Sequence, residues 1–132
     1  MKSSVLIIEN DPQVLDTVKA MVEITGRHAI GVRTADAALT ALSKQAFDVV
    51  PTSSLHVSTL KMIALPWLAK QVQPTTAVVL TAAGQPVDRT DLGSIDAFLP
   101  KPFSITDIAR TIASLPQAQR APQAPVPVAE NV

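Results

Sequence analysis

Three short apolar runs rich in β-branched residues punctuate the chain, at residues 5–8, 47–50 and 77–80. None alternates apolar with polar positions. Continuous runs of this length suit strands covered on both faces, as in a parallel sheet. Two weaker segments, 28–32 and 96–99, complete a set of five predicted strands.

Helical patterns lie between the strands. Val14, Leu15, Val18, Met21 and Val22 recur at helical spacing, and Asp11 and Pro12 stand where an N-cap and a first helical proline belong. Ala38, Leu39 and Leu42 predict a second helix, capped by Thr34. Leu60, Ile63, Ala64, Trp67 and Leu68 form a third apolar stripe with Pro66 inside it. An interior proline removes a backbone hydrogen bond at a cost of ~3 kcal/mol, so a kink or a late start is expected there. Ser104 and Asp107 have the spacing of a capping box, ahead of an apolar face of Ile105, Ile108, Ala109 and Ile112. Residues 86–95 make a poor helical slot, with Gly93 and only Val87 and Leu92 as large apolar residues ahead of it.

Beyond Leu115 the pattern stops, and Pro116, Pro122, Pro125 and Pro127 are interspersed with Ala, Gln and Val. Such a segment buries too little to offset its ordering entropy. The expected organisation is one domain over 1–117 and a disordered Pro/Ala/Gln-rich tail over 118–132. Alternating strands and helices imply right-handed crossovers and a three-layer α/β sandwich. In open sheets of this kind ligands gather at the carboxyl ends of the strands. That convergence brings together Glu9, Asn10 and Asp11 after the first strand, 52–54 after the third, Thr81 after the fourth and Lys101 after the fifth.

Composition narrows the chemistry. The 132 residues are 47% hydrophobic and 17% charged, as a folded domain requires. Eleven basic side chains balance 11 acidic ones without a long run of either sign, which argues against a nucleic-acid footprint. With no cysteine, disulfides, thiolate metal sites and cysteine nucleophiles are excluded. No signal-peptide pattern and no run of roughly 20 apolar residues is present, so a cytoplasmic location without membrane contact is the expectation.

The segments Val5-Leu6-Ile7-Ile8-Glu9-Asn10-Asp11-Pro12, Phe47-Asp48-Val49-Val50, Ala77-Val78-Val79-Leu80-Thr81-Ala82 and Asp96-Ala97-Phe98-Leu99-Pro100-Lys101-Pro102-Phe103 together resemble a response-regulator receiver domain of two-component signalling. The resemblance covers roughly residues 5–115. It implies a flavodoxin-like (βα)5 fold whose five-stranded parallel sheet has the order 2-1-3-4-5. It also implies a site in which an acidic pair holds Mg²⁺ and an aspartate ending the third strand accepts a phosphoryl group. By the same resemblance Thr81 and Lys101 match the residues that contact the phosphoryl oxygens, Phe98 the switch aromatic, and Lys101-Pro102 the Lys-Pro step at which Pro102 follows a cis bond.

The departures are chemical. Counting five residues from Asp48 places Ser53 at the acceptor position, and a one-residue slip would place Ser54 there. Either way, no Asp or Glu occurs between Asp48 and Asp88. Promoting Asp48 itself would put the polar Ser43-Lys44-Gln45 stretch into a core strand. The acidic pair becomes Glu9-Asn10, leaving one carboxylate, while Asp11 serves either as helix cap or as ligand. Mg²⁺ demands near-octahedral oxygen ligands, so its binding is expected to be weak or absent, and no other metal or cofactor is expected. A serine acceptor would need an adjacent base, for which His56 is the neighbour at hand; otherwise His56 is a loop residue. Lys101 requires a partner in the crevice, with Glu9 within about 4 Å or a bound anion in its place.

These observations favour a degenerate pseudo-receiver: a protein-interaction module, not an enzyme, that acts independently of phosphorylation. Its partners would be a kinase, phosphotransfer or output protein bound through the face from strand four to helix five, with a homodimer possible. One alternative is an anion- or phosphate-sensing switch built on Ser53, Thr81 and Lys101. Another is a small flavodoxin-like enzyme, for which the four glycines and the absence of a Gly-rich phosphate loop give little support. Trp67 could stack a flavin, but its spacing with Leu60, Ile63 and Ala64 predicts core packing.

Overall fold

The computed structural model describes residues 3–53, 60–83 and 94–115, and for residues 60–63 and 83 the backbone alone. Ser54, His56, most of the 86–95 slot and the tail at 118–132 therefore lie outside the described residues. The described chain runs β1 (Ser4–Ile8), α1 (Pro12–Ile24), β2 (His28–Val32), α2 (Ala35–Lys44), β3 (Val49–Ser53), α3 (Leu60–Val72), β4 (Ala77–Ala83), β5 (Ala97–Lys101) and α4 (Ile105–Ala113). All four strand pairings are parallel, and the sheet order is β2-β1-β3-β4-β5. This is the flavodoxin-like arrangement.

Strand parity divides the core in two. Val5, Ile7, Val49, Val79 and Leu99 point to one face, where they pack with Leu15, Val18 and Val22 of α1 and Ile108 and Ile112 of α4. Leu6, Ile8, Val50 and Val78 point to the other, against Ala38 and Leu42 of α2 and Leu65 and Ala69 of α3. Because β1, β3 and β4 are covered on both sides, their sequences are apolar without alternation. Each fully buried Val, Leu or Ile contributes roughly 1.5–3 kcal/mol.

The caps follow the sequence closely. Asp11 Oδ1 accepts from the N–H groups of Gln13 (2.9 Å) and Val14 (3.3 Å), with Pro12 opening α1. Thr34 Oγ1 accepts the Ala37 N–H at 3.1 Å to cap α2. Ser104 and Asp107 form a reciprocal capping box on α4. Gly26, at φ 91°, supplies the left-handed residue after α1. Gly31 in β2 lets α1 approach closely, since a β-carbon there would stand 2.7 Å from Leu15 Cδ1.

Three details differ from the pattern-based expectation. The third strand begins and ends later than residues 47–50, running through Pro51 to Ser53. Proline interrupts only one edge of a strand. The β3–β4 ladder is continuous, whereas β1 and β3 pair at Val5–Val49 and Ile8–Thr52, with Pro51 and its missing N–H in the gap. Helix α3 does not wait for Pro66 but begins ahead of it. Its inner face holds Leu65 and Ala69 rather than a stripe through Trp67, which is 52% exposed. The helix is apolar nearly all round, so periodicity could not choose its buried face.

Candidate functional site

The strand rows that build the core beneath α1 and α4 end in polar residues at the carboxyl edge of the sheet. Glu9 continues the row of Val5 and Ile7, Ser53 that of Val49, Thr81 that of Val79, and Lys101 that of Leu99. Ser53 pairs in register with Thr81, and Lys101 stands beside Ala83. Parity thus places all four polar side chains on one face, in one crevice.

Lys101 joins three strands of this crevice. Its ammonium donates to Glu9 Oε1 at 2.6 Å and to Ser53 Oγ at 3.4 Å. The second carboxylate oxygen, Oε2, accepts the Asp11 N–H at 3.1 Å. Glu9 is 2% exposed and is the only buried charged residue among the described residues; Ser53 and Thr81 are also buried. A carboxylate so placed needs both an opposite charge and hydrogen bonds, and it has them. The Glu9–Lys101 contact expected within about 4 Å is therefore present, at 2.6 Å.

The rest of the acidic stretch is occupied elsewhere. Asp11 caps α1 with one carboxylate oxygen. Asn10 is exposed, and its backbone carbonyl accepts from Arg33 Nε at 3.0 Å. Among the described residues no group of three or more His, Cys, Asp or Glu is arranged to hold a metal ion. With both oxygens of Glu9 engaged and Asp11 turned to the helix, the donor set does not fit a hard divalent cation that demands several oxygen ligands.

Asp48 lies at the opposite edge. It precedes β3, accepts the Ser4 N–H at 2.9 Å through Oδ2, and donates its own N–H to the Ser4 carbonyl. The length of β3, about 3.3 Å per residue, separates it from Ser53. Phe98 is half-buried on the sheet face opposite Lys101, in register with Leu80, and the Lys101–Pro102 bond is cis. The crevice can hold hydrogen bonds and an ion pair; His56, the possible base for Ser53, falls outside the described residues.

Sequence reasoning missed two polar anchors at the amino edge. Gln73 bridges α2 to the start of β3, and Lys70 donates to Asp96 at 2.7 Å and to the Thr76 carbonyl at 2.9 Å. Nothing in their spacing distinguishes them from solvated residues.

No family model matches the chain. Among curated proteins it is 26% identical over 120 residues to the transcriptional regulatory protein CpxR of Escherichia coli (strain K12), a match spanning 86% of this chain and 49% of that protein. The chain spans about half the length of the curated relatives it matches. Among solved structures, a CheY-like receiver domain from Methanospirillum hungatei JF-1 superposes with a TM-score of 0.81 at 17% identity, covering 94% of this chain and 100% of that one. A chain from the complex of histidine kinase ThkA with response regulator protein TrrA gives 0.76 at 14% identity, covering 88% and 99%. The fold is that of the response-regulator receiver domains, and the resemblance read from the sequence motifs extends to the three-dimensional architecture.

Proposed function

We propose that this chain is a receiver-type module of two-component signal transduction that works through protein contacts without accepting a phosphoryl group. The observation that carries this reading is the composition of the crevice: Ser53 occupies the end of β3, and the neighbouring ammonium of Lys101 is held by Glu9 at 2.6 Å. A serine hydroxyl must lose a proton to attack, and the one carboxylate buried among the described residues is already committed to Lys101. On this reading the chain is no enzyme, needs no cofactor and binds a signalling protein, as TrrA does the kinase ThkA. The face used is that of β4 and β5, with Phe98 within it. No helix among the described residues is long and apolar enough to cross a membrane, which accords with action in the cytoplasm.

The test is incubation with acetyl phosphate and Mg²⁺, followed by intact-mass measurement, with beryllofluoride titration in parallel. The reading expects neither a phosphoryl adduct nor a spectral change with beryllofluoride. A hydroxylamine-labile or acid-stable phosphate on the wild-type chain would refute it. An anion switch on Ser53, Thr81 and Lys101 would require the anion to displace Glu9 from the ammonium. Calorimetric titration with phosphate would register that exchange as heat.

A further inference from the structure

We infer that the Glu9–Lys101 ion pair is an internal latch holding the N-termini of α1 and α4 in one fixed arrangement, with the lysine ammonium as the resident cation of the crevice. The bonds form a continuous series. From Glu9 Oε2 the Asp11 N–H leads to the Asp11 carboxylate, which caps the first turn of α1 through Gln13 and Val14. From Glu9 Oε1 the Lys101 ammonium leads to the end of β5, and three residues on Ser104 begins the capping box of α4. Phe103, between them, packs against the core shared by α1 and α4. The two helices therefore start from opposite ends of a single buried ion pair that joins positions far apart in the sequence.

A buried carboxylate in such a crevice needs a cation, and here the protein supplies one covalently. An ion that dissociates can act as a signal; a lysine side chain cannot leave. The latch is the fixed state that a phosphorylation-independent module requires, and in that sense it rests on the function proposed above.

Residue-resolved hydrogen exchange on the full chain tests it. In Lys101→Met, protection should fall about tenfold or more at the first-turn amides of α1 (Asp11, Gln13, Val14) and α4 (Asp107, Ile108). The Ala37 amide, at the Thr34 cap of α2, should be unchanged, and Lys101→Arg should retain protection at both helices. If Lys101→Met does not fold, Glu9→Gln carries the same comparison. Unchanged protection, loss at only one of the two helices, or an equal loss that includes α2 would overturn the latch. So would a rise in wild-type protection at these amides on adding millimolar Mg²⁺. A phosphoryl adduct on Ser53 would refute the module reading while leaving the exchange pattern intact; absent coupling between α1 and α4 would do the reverse.

Discussion

The side-chain amide oxygen of Gln73, just past the end of α3, accepts the backbone N–H of Phe47 at 2.8 Å. The same amide donates to the Leu42 carbonyl at 2.8 Å and the Gln45 carbonyl at 2.6 Å. One side chain thus satisfies three backbone groups where α2 hands over to β3, next to the buried Phe47 ring. Each buried group left unpaired costs about 1–3 kcal/mol. The bonds to Phe47 and Leu42 are partly buried and that to Gln45 is exposed, so Gln73→Ala should destabilise the domain by roughly 2–4 kcal/mol, nearly all of it from the first two. Gln73→Glu should also lose stability, since it keeps the acceptor for Phe47 but offers the two carbonyls no donor. Urea denaturation of the three proteins measures this, and a Gln73→Ala midpoint equal to wild type would remove the amide from its assigned role.

The capping box of α4 makes stability depend on pH in a defined direction. Asp107 is held below its ordinary value of 3.8, chiefly by the Ser104 backbone N–H and next by the Ser104 hydroxyl. A carboxyl whose folded pKa is depressed contributes stability that is present above its unfolded pKa and lost as pH falls through the folded one. The wild type should accordingly melt above Asp107→Asn at neutral pH, and the gap should narrow once pH drops below 3.8. Thermal melts across that window check the sign. A gap that widens with acid would mean the carboxylate is not the stabilising form.

Much of this architecture was legible in the chain. Asp11, Thr34 and Ser104 cap helices by local hydrogen bonds, which sequence spacing encodes directly. Glu9 and Lys101 could be paired in advance because a charge buried at the edge of a parallel sheet demands an opposite one. Counting from Asp48 pointed to Ser53, which ends β3 beside Lys101, since strand periodicity survives even where the strand's limits are misjudged. Those limits were misjudged because the apolar run stops at Val50, whereas the ladder to β4 carries the strand on through Pro51 and Thr52 to Ser53. The outward position of Trp67 was invisible because α3 offers apolar residues on nearly every side, and only tertiary packing chose Leu65 and Ala69. Gln73 gave no signal, since a glutamine that anchors three backbone groups looks the same in sequence as one in water.

The Glu9–Lys101 pair should show the asymmetry of a buried ion pair. Removing one partner strands the other charge, at a cost of about 3–5 kcal/mol, whereas replacing both by apolar residues is often neutral or stabilising. Lys101→Met alone should lower the urea midpoint sharply. Adding Glu9→Leu to it should recover most of the loss, by removing the carboxylate that had lost its cation. The coupling energy from this double-mutant cycle is the decisive quantity. If the two losses simply add, the 2.6 Å contact contributes little in solution.

Restoring an aspartate at position 53 alone should not restore phosphoryl transfer. Ser53→Asp would bring a second carboxylate beside Lys101, whose ammonium already lies 2.6 Å from Glu9 and 3.4 Å from the Ser53 hydroxyl. Two buried carboxylates would then share one ammonium, which costs stability, and Mg²⁺ would still lack a second acidic ligand after β1. The single variant should be less stable than wild type and remain unlabelled by acetyl phosphate. Adding Asn10→Asp supplies the missing ligand. The double variant should bind Mg²⁺, gain thermal stability that rises with the logarithm of its concentration above Kd, and take up a hydroxylamine-labile phosphate. Intact mass with and without Mg²⁺ separates these outcomes. Labelling of Ser53→Asp by itself would mean that Glu9 is enough to organise the ion, and that Lys101 yields its partner more readily than its burial implies.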